Sequence, residues 1–167
     1  MKKLFATLLL AAMVLSTGCG GKSETPAPSA EQKPAASTST QPANSPDAKF
    51  SVGGILPGMS LDDAKKLFGE PSATHEDEFT FANGLELEFD NGRVADIKIR
   101  QAGVSTGAGV AVGMTEQDLA NAYGKPASTE NDDGKIEHKY FSGDGRIKLE
   151  FDVVNGIITE IKCSFVD

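Results

Sequence analysis

The sequence predicts an α+β fold built from two helix-plus-sheet units in tandem, and three observations carry that reading. A 14-residue motif occurs twice, alternating apolar and charged residues follow each occurrence, and an Asn-Gly turn signal sits inside each following stretch. The expected architecture is two repeats, each a short helix and a three-stranded meander, joined into one curved antiparallel sheet with the short helices on one face. Repeat 1 covers residues 49–101 and repeat 2 covers 102–167.

The first 48 residues read as an address and a tether. Met1-Lys2-Lys3 is cationic, residues 4–15 are an apolar run too short to span a bilayer, and Ser16-Thr17-Gly18-Cys19 follows. This resembles the lipobox of bacterial lipoproteins. The resemblance implies that residues 1–18 are a signal peptide, that Cys19 is lipidated, and that its acyl chains are the partner of the membrane. Residues 19–48 are then the lipidated Cys and a disordered tether, because Pro, Ala, Ser, Thr and Gln offer little apolar surface to offset ordering entropy. Such a coil spans about 30 Å.

Charge removes one class of partner. Sixteen basic residues stand against 24 acidic ones, a net of −8, and losing residues 1–18 with Lys2 and Lys3 makes it −10. Duplex nucleic acid needs a basic face to release counterions, so it is not expected as a partner.

In each repeat the first element is a two-turn helix. Gly58-Met59-Ser60 and Gly113-Met114-Thr115 open the two copies of the motif, with Asp63 and Asp118 three residues after the hydroxyl. That spacing is a capping box: the hydroxyl accepts a backbone N–H, and the acid sits at the positive helix end. Ala64, Leu67 and Phe68, and Leu119, Ala122 and Tyr123, form an i, i+3, i+4 stripe, so one face is meant for burial. Gly69 and Gly124 stop the helix, and Pro71 and Pro126 prevent its continuation.

The strands follow. Residues 78–81, 85–89 and 94–100 form the first meander, and 136–141, 147–151 and 157–165 the second. Leu85, Leu87 and Phe89 alternate with Glu86 and Glu88, giving one apolar and one charged face. Inward positions are odd-numbered on both sides of Asn91-Gly92, and paired residues must share a face. That parity favours a three-residue turn with a Gly bulge over a two-residue turn. Val153-Val154 reads as a two-residue lengthening of the second loop. Cys163 shares the inward parity of Ile161, so it reads as a small buried hydrophobe.

Other motifs fail on geometry. Gly20-Gly21-Lys22-Ser23 has Ser16 where a phosphate loop needs Gly, and the Gly-rich 107–113 stretch precedes a helix too short for a dinucleotide fold. Asn131-Asp132-Asp133-Gly134 has Thr129 and Tyr140 where a Ca²⁺ loop needs acids. His75 and His138, the only histidines, lie far apart. The reading is a protein without catalytic residues, cofactor or metal site.

The repeated unit, Gly-Met-Ser/Thr with an acid three residues on and aromatic-Gly-x-Pro before a meander, resembles the SmpA/OmlA (BamE) lipoproteins of envelope assembly. Its duplication is similar to the tandem repeats of β-lactamase-inhibitor-like proteins. These resemblances imply a non-enzymatic, lipid-anchored, extracytoplasmic protein-binding module, an assembly factor or inhibitor, whose partner is another envelope or secreted protein. The contacts would lie on the charged face: Glu86, Glu88, Lys98 and Arg100 in the first repeat, and Lys148, Glu150, Glu160 and Lys162 in the second. The alternative reading is a lipoprotein that binds a small ligand or a divalent cation through its acidic surface.

Overall fold

The computed structural model describes residues 47–166. Residues 1–46, which include Cys19, the signal segment and almost all of the tether, lie outside the described residues.

Eight strands, β1 (Ala73–His75), β2 (Glu78–Thr80), β3 (Leu85–Asp90), β4 (Arg93–Ile99), β5 (Ser128–Asp132), β6 (Lys135–Phe141), β7 (Ile147–Val154) and β8 (Ile157–Phe165), form one antiparallel sheet. Their order is β1-β2-β3-β4-β8-β7-β6-β5. Two eight-residue helices, α1 (Leu61–Phe68) and α2 (Glu116–Tyr123), and two 3-10 turns complete the described elements. The expected α+β class of two helix-plus-three-stranded-meander repeats is therefore corrected: this is a largely β fold dominated by a single sheet. The strands missing from the sequence reading are β1 and β5. Every residue of both is exposed, and Ser-Thr-Glu-Asn-Asp has no apolar alternation to detect. Short polar strands are suited to sheet edges, where they discourage pairing with other chains.

The helix ends follow the capping chemistry. Ser60 Oγ accepts the Asp63 N–H at 3.2 Å, and Thr115 and Asp118 form a complete capping box with N–H···O distances of 3.1 and 3.0 Å. Gly69 and Gly124 stop the helices at φ of 80° and 76°. Each helix start is also tied to the sheet. The Gly58 N–H donates to Val94 O and the Val94 N–H to Met59 O, and Gly113, Ile158 and Met114 repeat the pattern.

The central hairpins correct the turn reading. Asp90 pairs with Arg93 and Val154 with Ile157, leaving two-residue Asn-Gly turns with positive φ at Asn91, Gly92, Asn155 and Gly156. The type I′ turn, set aside on parity, is the one formed. A register shift between Glu88 and Phe89, and another between Asp152 and Val153, supplies the parity change inside the strand instead. Val153 and Val154 belong to β7 rather than to a longer loop. Because Leu85 faces Ile99 and Leu149 faces Cys163, Leu85 and Leu149 are equivalent; the second half gains its extra residues in the two hairpins of β5, β6 and β7.

The core lies on one face of the sheet. Leu85, Leu87, Ile97, Ile99, Leu149, Phe151, Ile161 and Cys163 are buried there with Ala64 and Leu119 of the helices. Two chain segments close it by crossing over. The strap 47–52 ahead of α1 reaches the second half, where Phe50 packs edge-on against Tyr123 at 5.9 Å and the Tyr123 hydroxyl donates to Lys49 O at 2.6 Å. The linker around Val104 reaches the first half, where it and the Phe68 ring crowd Gly53. The strap and linker are bonded to each other by the Gly53 N–H to Ser105 O and the Gly107 N–H to Ser51 O, both 2.8 Å.

Candidate functional site

The period of two sends every second strand residue away from the core, and the register places those residues in rungs. One rung runs Thr80, Glu86, Lys98, Lys162, Glu150, Lys139, Ser128 across seven strands. A second runs His75, Glu78, Glu88, Asp96, Ser164, Lys148, Phe141. A third joins Glu160, Asp152 and Glu137, with Arg100 beyond the end of β4. All eight residues expected to form the contact face therefore share one side of one sheet.

Six of those eight belong to a continuous ion-pair chain. Arg100 bonds Glu160 and reaches Glu86 at 3.0 Å, and Glu160 holds Lys162 at 3.1 Å. Lys162 approaches Glu137 and Asp152 at 3.8 and 3.9 Å. Lys139 binds Glu137 at 3.0 Å, Glu130 at 2.8 Å and Glu150 at 3.8 Å, and Lys148 binds Glu150 at 3.3 Å. The sequence reading missed Glu130, Lys135, Glu137, Lys139 and Asp152. Lys135, Glu137 and Lys139 alternate with Ile136, His138 and Tyr140, so their outward parity was available in the sequence.

The electrostatics follow from that packing. Burial pushes the Glu137 and Glu160 carboxyls up, but the lysines beside them, with Arg100 at Glu160, outweigh it and hold both below the ordinary value. Glu130 and Glu137 raise the Lys139 ammonium well above its own. Asp152 is the tightest point: Lys135 bonds its Oδ2 at 3.1 Å, whereas Oδ1 is buried without a hydrogen-bond partner among the described residues.

Among the described residues, Glu88 and Lys98 stand outside the chain of pairs. Glu88 lies directly opposite Glu78 on one side and Asp96 on the other, three carboxylates in one rung of β2, β3 and β4. Directly opposed like charges destabilise a sheet. The first half of the face is thus left acidic, whereas the second half is neutralised.

On the core side, His138 is buried between Glu116 Oε1 at 2.7 Å and Thr129 Oγ1 at 3.0 Å. Its equivalent in the first half is Phe79, which packs on Phe89. The Cys163 thiol is buried, donates to Phe50 O at 3.4 Å, and is pushed up to about 12 by burial. Among the described residues, no group of three or more His, Cys, Asp or Glu is placed to hold a metal ion, and no helix is long and apolar enough to cross a membrane.

No family model matches this chain and no curated protein matches its sequence, so the SmpA/OmlA and inhibitor-like resemblance stays a reading of the motif alone. Solved structures with a similar arrangement include a DUF4309 family protein from Bacillus subtilis, 15% identical over 67% of this chain and 82% of that one, TM-score 0.47. A cysteine-rich secretory protein from Staphylococcus aureus is 11% identical over 66% of this chain and 44% of that one, TM-score 0.48. An extracellular protein containing an SCP domain from Bacillus anthracis is 9% identical over 71% of this chain and 46% of that one, TM-score 0.43. This chain spans less than half the length of the last two.

Proposed function

We propose that this chain is a lipid-anchored, extracytoplasmic, non-enzymatic module that binds another envelope or secreted protein through the open face of its sheet. The location and the anchor rest on the signal-like residues 1–18 and on Cys19. The observation that carries the binding reading is the open face itself. The described helices, the strap and the linker pack their buried apolar residues on the opposite side, although Leu67, expected in the buried stripe of α1, is exposed there. Seven strand spacings make the open face about 34 Å wide, and β7 runs about 27 Å along it. That area matches the roughly 800 Å² each partner contributes to a standard interface.

The ion-pair chain fixes the side chains of the second half before any partner arrives, which lowers the ordering cost of association. The unpaired rung of Glu78, Glu88 and Asp96 gives the first half its sign, so the partner presents basic side chains there. A repulsive rung that costs stability and is relieved on binding makes a sharp test. Glu88→Lys removes two like-charge contacts and stabilises the free protein by about 0.5 kcal/mol. The same change weakens capture of the partner from solubilised envelope, whereas Lys66→Glu on exposed α1 leaves capture unchanged. Loss of stability together with unaltered capture would refute the role of this rung and of the face.

A further inference from the structure

A second feature lies where α2, the strap and the end of β6 meet, and its fate is independent of what binds the open face. Lys49, Phe50, Tyr123, Lys125, Ala127, Tyr140 and Phe141 line a cleft of about 220 Å³ there, and no acidic residue among the described residues lines it. On a chain of net charge −8, this concave place gathers two lysines with Phe50, Tyr123 and Tyr140, while Phe141 borders it from β6 at a position whose side chain belongs to the open face.

The tyrosines position the lysines. Tyr123 donates to the carbonyl of Lys49 at 2.6 Å, and Lys49 Nζ stands 5.4 Å from the Tyr123 ring centroid, within cation–π range. Tyr140 reaches the carbonyl of Gly124, the residue before Lys125, at 3.3 Å. Both rings belong to one aromatic cluster with Phe151, whose centroids lie 5.2 to 5.8 Å apart. The rings pack on one another, and their hydroxyls hold the backbone at Lys49 and next to Lys125.

The first half of the same chain shows what the scaffold alone requires. The helix motif equates Tyr123 with Phe68 and Lys125 with Glu70. The Ser72 N–H bonds Thr80 O as the Ala127 N–H bonds Lys139 O, which equates Tyr140 with Phe81. Phe68 and Phe81 pack together without hydroxyls, and Glu70 pairs with Lys65 at 2.8 Å. Packing is therefore satisfied by Phe, Phe and an acid. The hydroxyls tie the strap and the end of α2 to the second half, and the reversed charge at Lys125 is not required by the packing.

We propose that this cleft binds an organic carboxylate with an aliphatic or aromatic body, the carboxylate set between Lys49 and Lys125 and the body against the rings. Size agrees, since an apolar cavity of about 150 Å³ takes a benzene ring, and the remaining space accommodates a carboxylate. The source is either a free acid of amino-acid size or the C-terminal residue of a peptide.

The protein carries its own reporter. It has two tyrosines and no tryptophan, and both tyrosines line the cleft. Titrating N-acetyl-leucinate, which does not absorb with tyrosine, into the whole chain in detergent solution gives a saturable change in tyrosine emission, with Kd of about 1 mM or tighter. N-acetyl-leucinamide, of the same shape without charge, binds at least tenfold more weakly. Lys125→Glu, at an exposed position whose counterpart in the first half is already Glu, weakens N-acetyl-leucinate at least tenfold while far-UV circular dichroism is unchanged, and Lys66→Glu has no effect. A peptide ending in Leu with a free carboxylate identifies a chain terminus as the source if it binds more tightly than N-acetyl-leucinate, and a free acid if it does not. The proposal fails if N-acetyl-leucinate gives no saturable change, if the amide binds equally well, or if Lys125→Glu binds as the parent does.

Discussion

At the scale of the residue, local rules of spacing and parity carry most of what was legible. The hydroxyl at Ser60 and the acid three places on specify a cap, and Lys66 and Ser60, in that order of effect, hold the Asp63 carboxyl down at about 2. A group with a lowered folded value contributes stability above its unfolded value and loses it as pH falls through the folded one. The Asp63 contribution is thus complete above the ordinary value of 3.8 and lost toward pH 2. Ser60→Ala removes the cap, costs about 1 kcal/mol, and raises the Asp63 titration midpoint in carboxyl NMR; an unmoved midpoint would contradict the capping account. Cys163 was legible by parity, because period two leaves a residue aligned with Ile161 no choice of face. Its raised value and burial predict a thiol silent to Ellman's reagent at pH 8 in the native chain and reactive after unfolding. His138 was not legible, since the alternation that buries it says nothing of Glu116 and Thr129, which arrive from other elements.

At the scale of the element, the apolar alternation marked β3, β4, β7 and β8 and the two helices, and was silent at the edges. Ala73–His75 and Ser128–Asp132 become strands because neighbours offer them hydrogen bonds, a tertiary cause that composition does not record. Parity demanded one irregularity in each central hairpin, but nothing local decided between turn and strand. The pairing placed it in the strand. The strap is the other element invisible in sequence. A Cβ on Gly107 would stand 1.9 Å from Ala48 O, so the strap passes against bare backbone there. Gly107→Ala is expected to cost about 3 kcal/mol, to speed amide exchange in the strap, and to change tyrosine emission as Phe50 and Lys49 leave Tyr123. The ion-pair chain of the open face has its own pH signature. Glu137 and Glu160, held below 4.5, contribute fully above that value and lose their contribution as pH falls below it; Lys139 and Lys162, held above 10.5, contribute fully below that value and lose theirs above it. Thermal stability should show a plateau between those limits, and added salt should flatten its shoulders.

At the scale of the whole molecule, the duplication that the sequence displays is not a division. β4 and β8 pair at the centre of the sheet, the strap before the first half packs on the second, and the linker packs on the first. Neither half closes its own core, so calorimetry should record one cooperative transition whose calorimetric and van't Hoff enthalpies agree; two separable transitions would refute the interlocked account. The second half carries Tyr, Tyr and Lys at its cleft where the first carries Phe, Phe and Glu, while both lend strands to one open face. The binding reading of that face is tested most directly by a photo-crosslinking residue placed in turn at position 88, position 98 and position 67, in cells that carry the whole chain. Positions 88 and 98 lie on the open face, and exposed Leu67 lies on the helix side. The account predicts one discrete protein adduct from 88 and 98, absent from 67 and lost when Asp96→Lys is added. Adducts from 67 alone, equal adducts from both sides, or none from the open face would contradict it.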